Sequence, residues 1–109
     1  MLSKYILPGD RVELTPNIRQ KMNGDRTIEK KIYLSKVCDI ISEERLEIVM
    51  PMEKTKLILL PVDGEYEITF YTKSGVFQCG ARIVERYKSD GIYLLLFELT
   101  RKEVVGTVN

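Results

Sequence analysis

Histidine is absent from this chain of 109 residues. The sequence therefore lacks the commonest general base near neutral pH and the commonest metal ligand. Its two cysteines, Cys38 and Cys79, lie far apart and form no C-x-x-C pair, so no zinc site is predicted. We expect both to be buried reduced thiols that pack as small apolar side chains. Neither a metal nor a cofactor is expected.

Motifs of the common enzyme classes are missing as well. Neither G-x-G-x-x-G nor G-x-x-x-x-G-K-[S/T] occurs, and the serines have no histidine to activate them. Four carboxylates that stand out in the sequence fall in a predicted turn or on the solvent face of a predicted strand: Glu43, Glu44, Glu65 and Glu67. Catalytic carboxylates need a cleft that shifts their pKa, so solvated charge is the expected role of these four. The sequence does not support an enzyme.

An excess of one charge and a long apolar run are also lacking. The 17 Lys and Arg against 16 Asp and Glu leave a formal charge of +1, without the basic excess typical of nucleic-acid binders. No apolar run approaches the roughly 20 residues that a membrane-spanning helix needs. Residues 1–8 lack the basic segment and long apolar core of a signal peptide. A cytoplasmic protein without a membrane span is the expectation.

The apolar residues that are present alternate in short segments, as they do in β-strands. Tyr66, Ile68 and Phe70 are predicted to point inward from one such segment. Turn residues separate the segments, and residues 17–31 form a polar loop around an Asn-Gly-Asp sequence at 23–25. Strands are predicted at 11–16, 33–41, 46–50, 56–60, 65–71, 76–87 and 92–99. This succession predicts an all-β fold, a six- to seven-stranded antiparallel barrel that is closed or partly closed.

Two predicted strands have special features. Gly80, inside the strand at 76–87, indicates a bulge or a sharp bend. Arg82 and Arg86 form an R-x-x-x-R pattern that would place both on one strand face about 13 Å apart. That pattern can grip phosphate, but the pair lies mid-strand beside Glu85, so a structural role is favoured over ligand binding.

The strand at 92–99 is apolar on both faces. One interpretation is a central barrel strand whose outer face is covered by the ends of the chain itself. The other is that its outer face docks against a second domain or another protomer.

The order and spacing of these segments resemble the N-terminal domain of YcgR-type flagellar brake proteins, the PilZN domain. The resemblance extends from about residue 6 to residue 101. It is carried by residues 8–14 (PGDRVEL), 35–40 (SKVCDI), 46–51 (LEIVMP), 64–71 (GEYEITFY) and 75–79 (GVFQC).

The resemblance implies a PilZ-like split β-barrel that is followed, in that family, by a C-terminal PilZ domain. The two domains together sense cyclic di-GMP, through R-x-x-x-R in the linker and D/N-x-S-x-x-G in the second domain. No D/N-x-S-x-x-G occurs here, and Arg82 and Arg86 lie inside a strand of the first domain, so the ligand role is not carried over to them. We therefore expect a PilZN-like domain at 1–101 and the start of an interdomain linker at 102–109, with the PilZ domain absent.

Candidate contacts with a PilZ domain follow from the resemblance. They are the apolar strand at 92–99 and the basic pair after it, and the residues assigned to this interface are Tyr93, Leu95, Phe97, Arg101 and Lys102.

The leading hypothesis is a non-enzymatic regulatory module, the N-terminal domain of a cyclic di-GMP-responsive flagellar brake. Its expected partners are the PilZ domain and flagellar motor proteins, with recruitment from the cytoplasm to the flagellar basal body. Cyclic di-GMP is expected only with the PilZ domain.

The alternative is a small barrel that binds nucleic acid, because Gly-Asp-Arg-Val openings such as residues 9–12 also occur in SH3-like and OB-like folds. Near-neutral charge and few aromatic residues on predicted solvent faces count against it, so no DNA or RNA partner is expected. A flavin-using split-barrel enzyme is a third hypothesis, without chemical support.

Overall fold

Six antiparallel strands close into a barrel in the computed structural model, which describes residues 2–17, 31–101 and 105–106. The elements are α1 (Leu2–Tyr5), β1 (Arg11–Pro16), β2 (Tyr33–Ile40), β3 (Arg45–Val49), β4 (Met52–Glu53), β5 (Lys56–Leu57), β6 (Glu65–Thr72), β7 (Gly75–Ser89), β8 (Ile92–Leu99) and β9 (Val105–Gly106). Around the barrel the strand order is β6-β1-β2-β3-β8-β7, and β7 pairs again with β6. Strand β9 adds to β7, and β4 and β5 form a separate two-stranded sheet.

This architecture confirms the predicted six- to seven-stranded antiparallel barrel. Most predicted strands match within a residue or two, but the run at 56–60 forms a strand only over Lys56–Leu57. The predicted polar loop lies mostly at residues 18–30, outside the described part of the chain. Among the described residues no helix has the length and apolar character needed to cross a bilayer.

The barrel interior is filled by side chains from one face of each of the six barrel strands. Tyr66, Ile68 and Phe70 of β6 are buried, as the alternation predicts. The one-turn helix α1 adds Leu2 to the same core, and Ile6, the residue after the helix, joins it; neither has exposed surface. Complete burial of such a side chain contributes roughly 1.5–3 kcal/mol, so this short helix is held by its packing and not by its propensity.

The hairpin turns follow the local sequence. Thr72 and Gly75 pair across a two-residue loop, where the Thr72 hydroxyl donates to the Gly75 carbonyl at 2.8 Å and accepts from the Ser74 amide at 3.0 Å. Between β7 and β8, Asp90 and Gly91 have φ of 52° and 81°. Positive φ at both central residues is the geometry of a type I′ turn, which matches the right-handed twist of the paired strands.

The irregularity expected at Gly80 lies elsewhere. Gly80 pairs in regular register with Glu67, whereas the register shift of β7 falls between Ile83 and Glu85, at Val84. A second shift lies in β2 at Cys38. The prediction of a bulge at Gly80 is therefore wrong, while the alternative of a sharp bend there stays a prediction. The glycine also permits a close contact, described below.

Candidate interaction surface

The two faces of β8 have opposite environments. Leu95 and Phe97 have no exposed surface and belong to the barrel core, so their expected part in an interdomain interface is corrected. Their face of β8 is the inner face, and the domain fills it with its own side chains. Tyr93 shares that face but lies beyond the core, where it is 41% exposed and the Lys88 Nζ lies 5.0 Å from its ring centroid. Of these three residues only Tyr93 is accessible to a partner.

The outer face of β8 lies in the middle of a surface that also includes β3 and β7. We call this three-strand surface the β8 outer face. Directly paired residues of a sheet point to the same side, so the register defines three rows across β3, β8 and β7. The first two rows are Val49–Leu94–Tyr87 and Glu47–Leu96–Glu85, and the third is Arg45–Glu98–Arg82. This surface is apolar at one end and consists of ion pairs at the other.

Tyr87 covers the apolar end of the β8 outer face. Its hydroxyl donates to Glu47 Oε2 at 2.5 Å, and β8 lies between the two strands that carry these residues. The Tyr87 ring therefore extends over β8, which explains why Leu94 is only 3% exposed although it points away from the core. The cover expected from the ends of the chain is thus supplied by a side chain of the sheet itself.

Tyr87 and the two cysteines all have raised pKa values and therefore stay protonated near neutral pH. Burial and the hydrogen bond to Glu47 raise the pKa of Tyr87. Burial also raises the pKa of the Cys38 thiol, with a further contribution from the charge of Glu47.

Cys79 lies in the core, where burial raises its pKa to about 12. Both cysteines are free, but Cys38 is only partly buried, so the expectation of two buried thiols holds for Cys79 alone. Neither thiol has the lowered pKa of a reactive nucleophile.

The ionic row alternates in charge. Glu98 lies between two guanidinium groups, with Arg45 Nη2 at 3.3 Å from Oε2 and Arg82 Nη2 at 3.3 Å from Oε1. Arg82 Nη1 also lies 3.1 Å from Asp63 Oδ1. Arg82 is thereby held by two carboxylates.

Arg82 and Arg86 do not share a face, contrary to the expectation from their spacing. The extra residue at Val84 reverses the alternation, so that Arg82 pairs with Glu98 on the outer face and Arg86 pairs with Leu95, an inner-face residue. Arg86 Nη1 donates instead to the Leu60 carbonyl at 3.4 Å. The structure therefore does not bring these guanidinium groups together as a pair for one phosphate.

Arg101 is fixed against the barrel by Glu67 and Gly80. Its Nη2 and Nη1 lie 2.9 Å and 3.5 Å from the two carboxylate oxygens of Glu67. The Thr100 amide donates to the Gly80 carbonyl at 2.9 Å. A Cβ atom on residue 80 would lie 2.9 Å from Thr100 Oγ1 and 3.3 Å from Arg101 Nη1. Glycine at position 80 therefore permits the close approach of the segment after β8, which we call the exit segment (residues 100–101).

Lys102 lies outside the described residues. Sequence reasoning missed both the Tyr87–Glu47 bond and the Glu67–Arg101 ion pair, because each joins residues more than 30 positions apart. The strand glycine at position 80 was the one local signal of a close approach. Within the described residues, no group of three or more His, Cys, Asp or Glu side chains is arranged to hold a metal ion.

Comparison with known proteins identifies the family. The model of the PilZNR family, described as flagellar protein YcgR, matches residues 8–99. No curated protein and no solved structure matches the chain. The match spans β1 to β8 and therefore the whole closed barrel. The chain belongs to the PilZNR family of the flagellar protein YcgR.

Proposed function

We propose that this protein is a non-enzymatic regulatory domain of a flagellar brake that responds to cyclic di-GMP. The observation that carries the proposal is the match of the flagellar family model to residues 8–99. In this proposal the barrel works together with a PilZ domain that binds the messenger, and it passes the binding event on to motor proteins as a change in domain orientation.

The charges of the barrel support a transmitting role over a messenger-binding one. Arg82 is held by Glu98 and Asp63, and Arg86 points to the other face of the sheet. The sequence also contains no D/N-x-S-x-x-G. A phosphate group would have to displace two carboxylates to reach Arg82, and that exchange costs the existing ion pairs.

Two exposed regions are the proposed contacts with the PilZ domain. The first is the tip of the β7–β8 hairpin, where Ile92 and Tyr93 are 45% and 41% exposed. The second is the exit segment, where Arg101 is held by Glu67 before the chain returns to pair β9 with β7; Lys102, which lies outside the described residues, remains a proposed contact. The orientation of a following domain depends on both regions.

Calorimetry tests where the messenger binds. Titration of cyclic di-GMP into the 109-residue chain is expected to give no heat of binding. Micromolar or tighter binding would contradict the assignment of the messenger site to a PilZ domain. A salt-dependent shift with single-stranded RNA, in the same buffer, would instead support the nucleic-acid alternative.

A motility assay tests the regulatory role itself. Disruption of the gene in cells with raised cyclic di-GMP is expected to increase swimming, because the brake is lost. Complementation with the wild-type gene should restore slow swimming. Unchanged swimming after disruption would contradict a role in motor control, whatever the calorimetry shows.

A further inference from the structure

A groove crosses the outer surface of the barrel on the side formed by β6, β1 and β2. Two adjoining cavities of about 300 Å³ and 390 Å³ share Arg11, Leu34 and Ser35. We call them together the Leu34 groove. The walls are completed by Val12, Glu13, Lys36, Val49, Met50, Pro51, Met52 and Tyr71.

The groove lies where β2 changes its pairing from β1 to β3. Strand β2 pairs with β1 up to Lys36 and with β3 from Val37 onward, so the two neighbours meet it at different places along its length. Pro51 follows β3 and has no amide hydrogen with which to continue a ladder. The Ser35 hydroxyl donates to the Val49 carbonyl at this point. A side-chain hydrogen bond therefore joins β2 to the end of β3 here, and the outer surface of the barrel is concave at this point.

Exposed apolar side chains line this groove. Leu34 is 67% exposed, more than any other large apolar residue in the described part of the chain. Met52 is 55% exposed and Tyr71 is 36% exposed. Single exposed apolar residues are ordinary, but three around one concavity form the kind of surface that binds a partner.

The cations of the groove outnumber the carboxylates that line it among the described residues. The register places Tyr71, Arg11 and Lys36 in one row on the outer face, so that two cations lie directly opposite each other on β1 and β2. Like charges in that position destabilise a sheet. No ion pair joins Arg11 or Lys36 to a carboxylate of the described residues.

Two neighbouring groups moderate this charge without removing it. The Arg11 guanidinium carbon lies 6.0 Å from the Tyr71 ring centroid, a cation–π distance. Glu13 is the single carboxylate among the lining residues. Burial first, and then a hydrogen bond to the Glu13 carboxylate, raise the pKa of Tyr71. The groove therefore keeps an excess of positive charge beside its apolar wall.

Comparison with the β8 outer face shows what the groove lacks. There the row Arg45–Glu98–Arg82 places a carboxylate between two arginines. In the groove the row of Arg11 and Lys36 has no such group. We propose that the Leu34 groove binds a peptide segment of a partner protein that presents a carboxylate to Arg11 and Lys36 and an adjacent large apolar side chain to Leu34 and Met52.

The chemistry of the groove distinguishes this occupant from a membrane surface. Electrostatic binding to anionic lipid typically needs clusters of about four to eight lysines or arginines. Two cations and one carboxylate around an apolar concavity fit a single acidic amphipathic peptide better. The lining residues of the groove do not include those of the hairpin tip or the exit segment, and the inference does not depend on the proposed function.

Selection of random dodecapeptides displayed on phage tests the proposal with the intact chain. The enriched peptides are expected to carry Asp or Glu beside a large apolar residue. Their affinities for Leu34→Ser and Lys36→Glu are expected to fall by about tenfold or more, as for truncation of an interface hot spot. Both residues are exposed, so circular dichroism should show unchanged folding.

Matched variants control for exposure and for charge. Leu59 is 64% exposed on another segment, so Leu59→Ser removes an equally exposed leucine outside the groove. Lys73→Glu changes the charge in the loop between β6 and β7. Both controls should bind the peptides as the wild type does, and equal binding by all four variants would overturn the proposal. A selection that enriches no peptide would also overturn the proposal. Self-association of the wild type that Leu34→Ser abolishes would overturn it too, because it would assign the groove to a second copy of the chain.

Discussion

Gly80 provides the sharpest test of how the exit segment is held. Alanine at this position would place its Cβ 2.9 Å from Thr100 Oγ1, a separation that real Cβ atoms essentially never show. It would also lie 3.3 Å from Arg101 Nη1. The side chains of the exit segment must therefore shift, and we expect residues 100–101 to move away from β7, which would weaken the Thr100–Gly80 backbone bond and the Glu67–Arg101 ion pair.

The expected magnitude is the difference between two opposing effects. Replacing a strand glycine with alanine ordinarily stabilises by about 0.5–1 kcal/mol, because the unfolded chain loses conformational freedom. Overpacking ordinarily costs about 1–3 kcal/mol. Thr100 and Arg101 are exposed enough to move, so the lower half of that range applies. The free energy of unfolding of Gly80→Ala should therefore fall by about 1 kcal/mol.

Urea unfolding followed by circular dichroism measures this change, and a double-mutant cycle assigns it to the contact. In a Thr100→Ala background the clashing oxygen is gone, so Gly80→Ala should become neutral or stabilising. Hydrogen exchange at the Thr100 amide should accelerate in Gly80→Ala. At Gly106 the nearest atoms to an added Cβ are ring carbons of Phe77 at 3.7 Å, an ordinary contact, so Gly106→Ala should show no loss and a gain of up to about 0.5–1 kcal/mol.

Two results would refute the reasoning. The first is a Gly80→Ala variant as stable as the wild type with unchanged exchange at Thr100. The second is an equal cost of Gly80→Ala in the wild-type and Thr100→Ala backgrounds, which would place its origin outside the exit segment.

Three further predictions concern other parts of the barrel. Because the pKa of Tyr87 is raised in the folded state, the contribution of this tyrosine to stability is complete below about pH 10 and is lost as the pH rises further. Between pH 9 and pH 11 the free energy of unfolding should therefore decline less in Tyr87→Phe than in the wild type. Cys79, with a pKa of about 12 and no exposed surface, should react with a disulfide reagent only on unfolding, whereas fast native labelling of both thiols would contradict its burial. Glu98→Gln should lower the free energy of unfolding by about 0.5–1 kcal/mol in low salt and by less in 1 M salt, since its ion pairs are partly exposed; an effect independent of salt would exclude this electrostatic origin.

The strands were predictable wherever one face is apolar and the other polar. The alternation along β6 assigns Tyr66, Ile68 and Phe70 to the core, and all three are buried. The same reasoning fails on β8, because both of its faces are apolar and a period of two does not distinguish inside from outside. Leu95 and Phe97 were assigned to an interface for that reason, although they lie in the core.

The candidate surface was less predictable than the fold because it depends on contacts between distant strands. The bulge at Val84 reverses the face of every later residue of β7, and valine gives no local signal of it. Arg82 and Arg86 therefore appear paired in the sequence and are separated in the structure. The burial of Leu94 likewise depends on a tyrosine from a neighbouring strand that reaches Glu47 on the other side.

Strand β7 has a mechanical consequence for any assembly in which the domain takes part. Its 15 residues, Gly75–Ser89, include the β9 pairing at Phe77 near one end and the bulge at Val84 in the second half, and they end at the hairpin tip. Its first half is bonded to β6 and its second half to β8, so a pull on either end is resisted by a different part of the barrel. A straight strand of this length would span about 50 Å, more than the longest dimension of the domain, 41 Å, and the bulge at Val84 bends β7. Two partners attached at opposite ends of β7 would thus be linked through one bent strand whose two halves are anchored in different parts of the barrel.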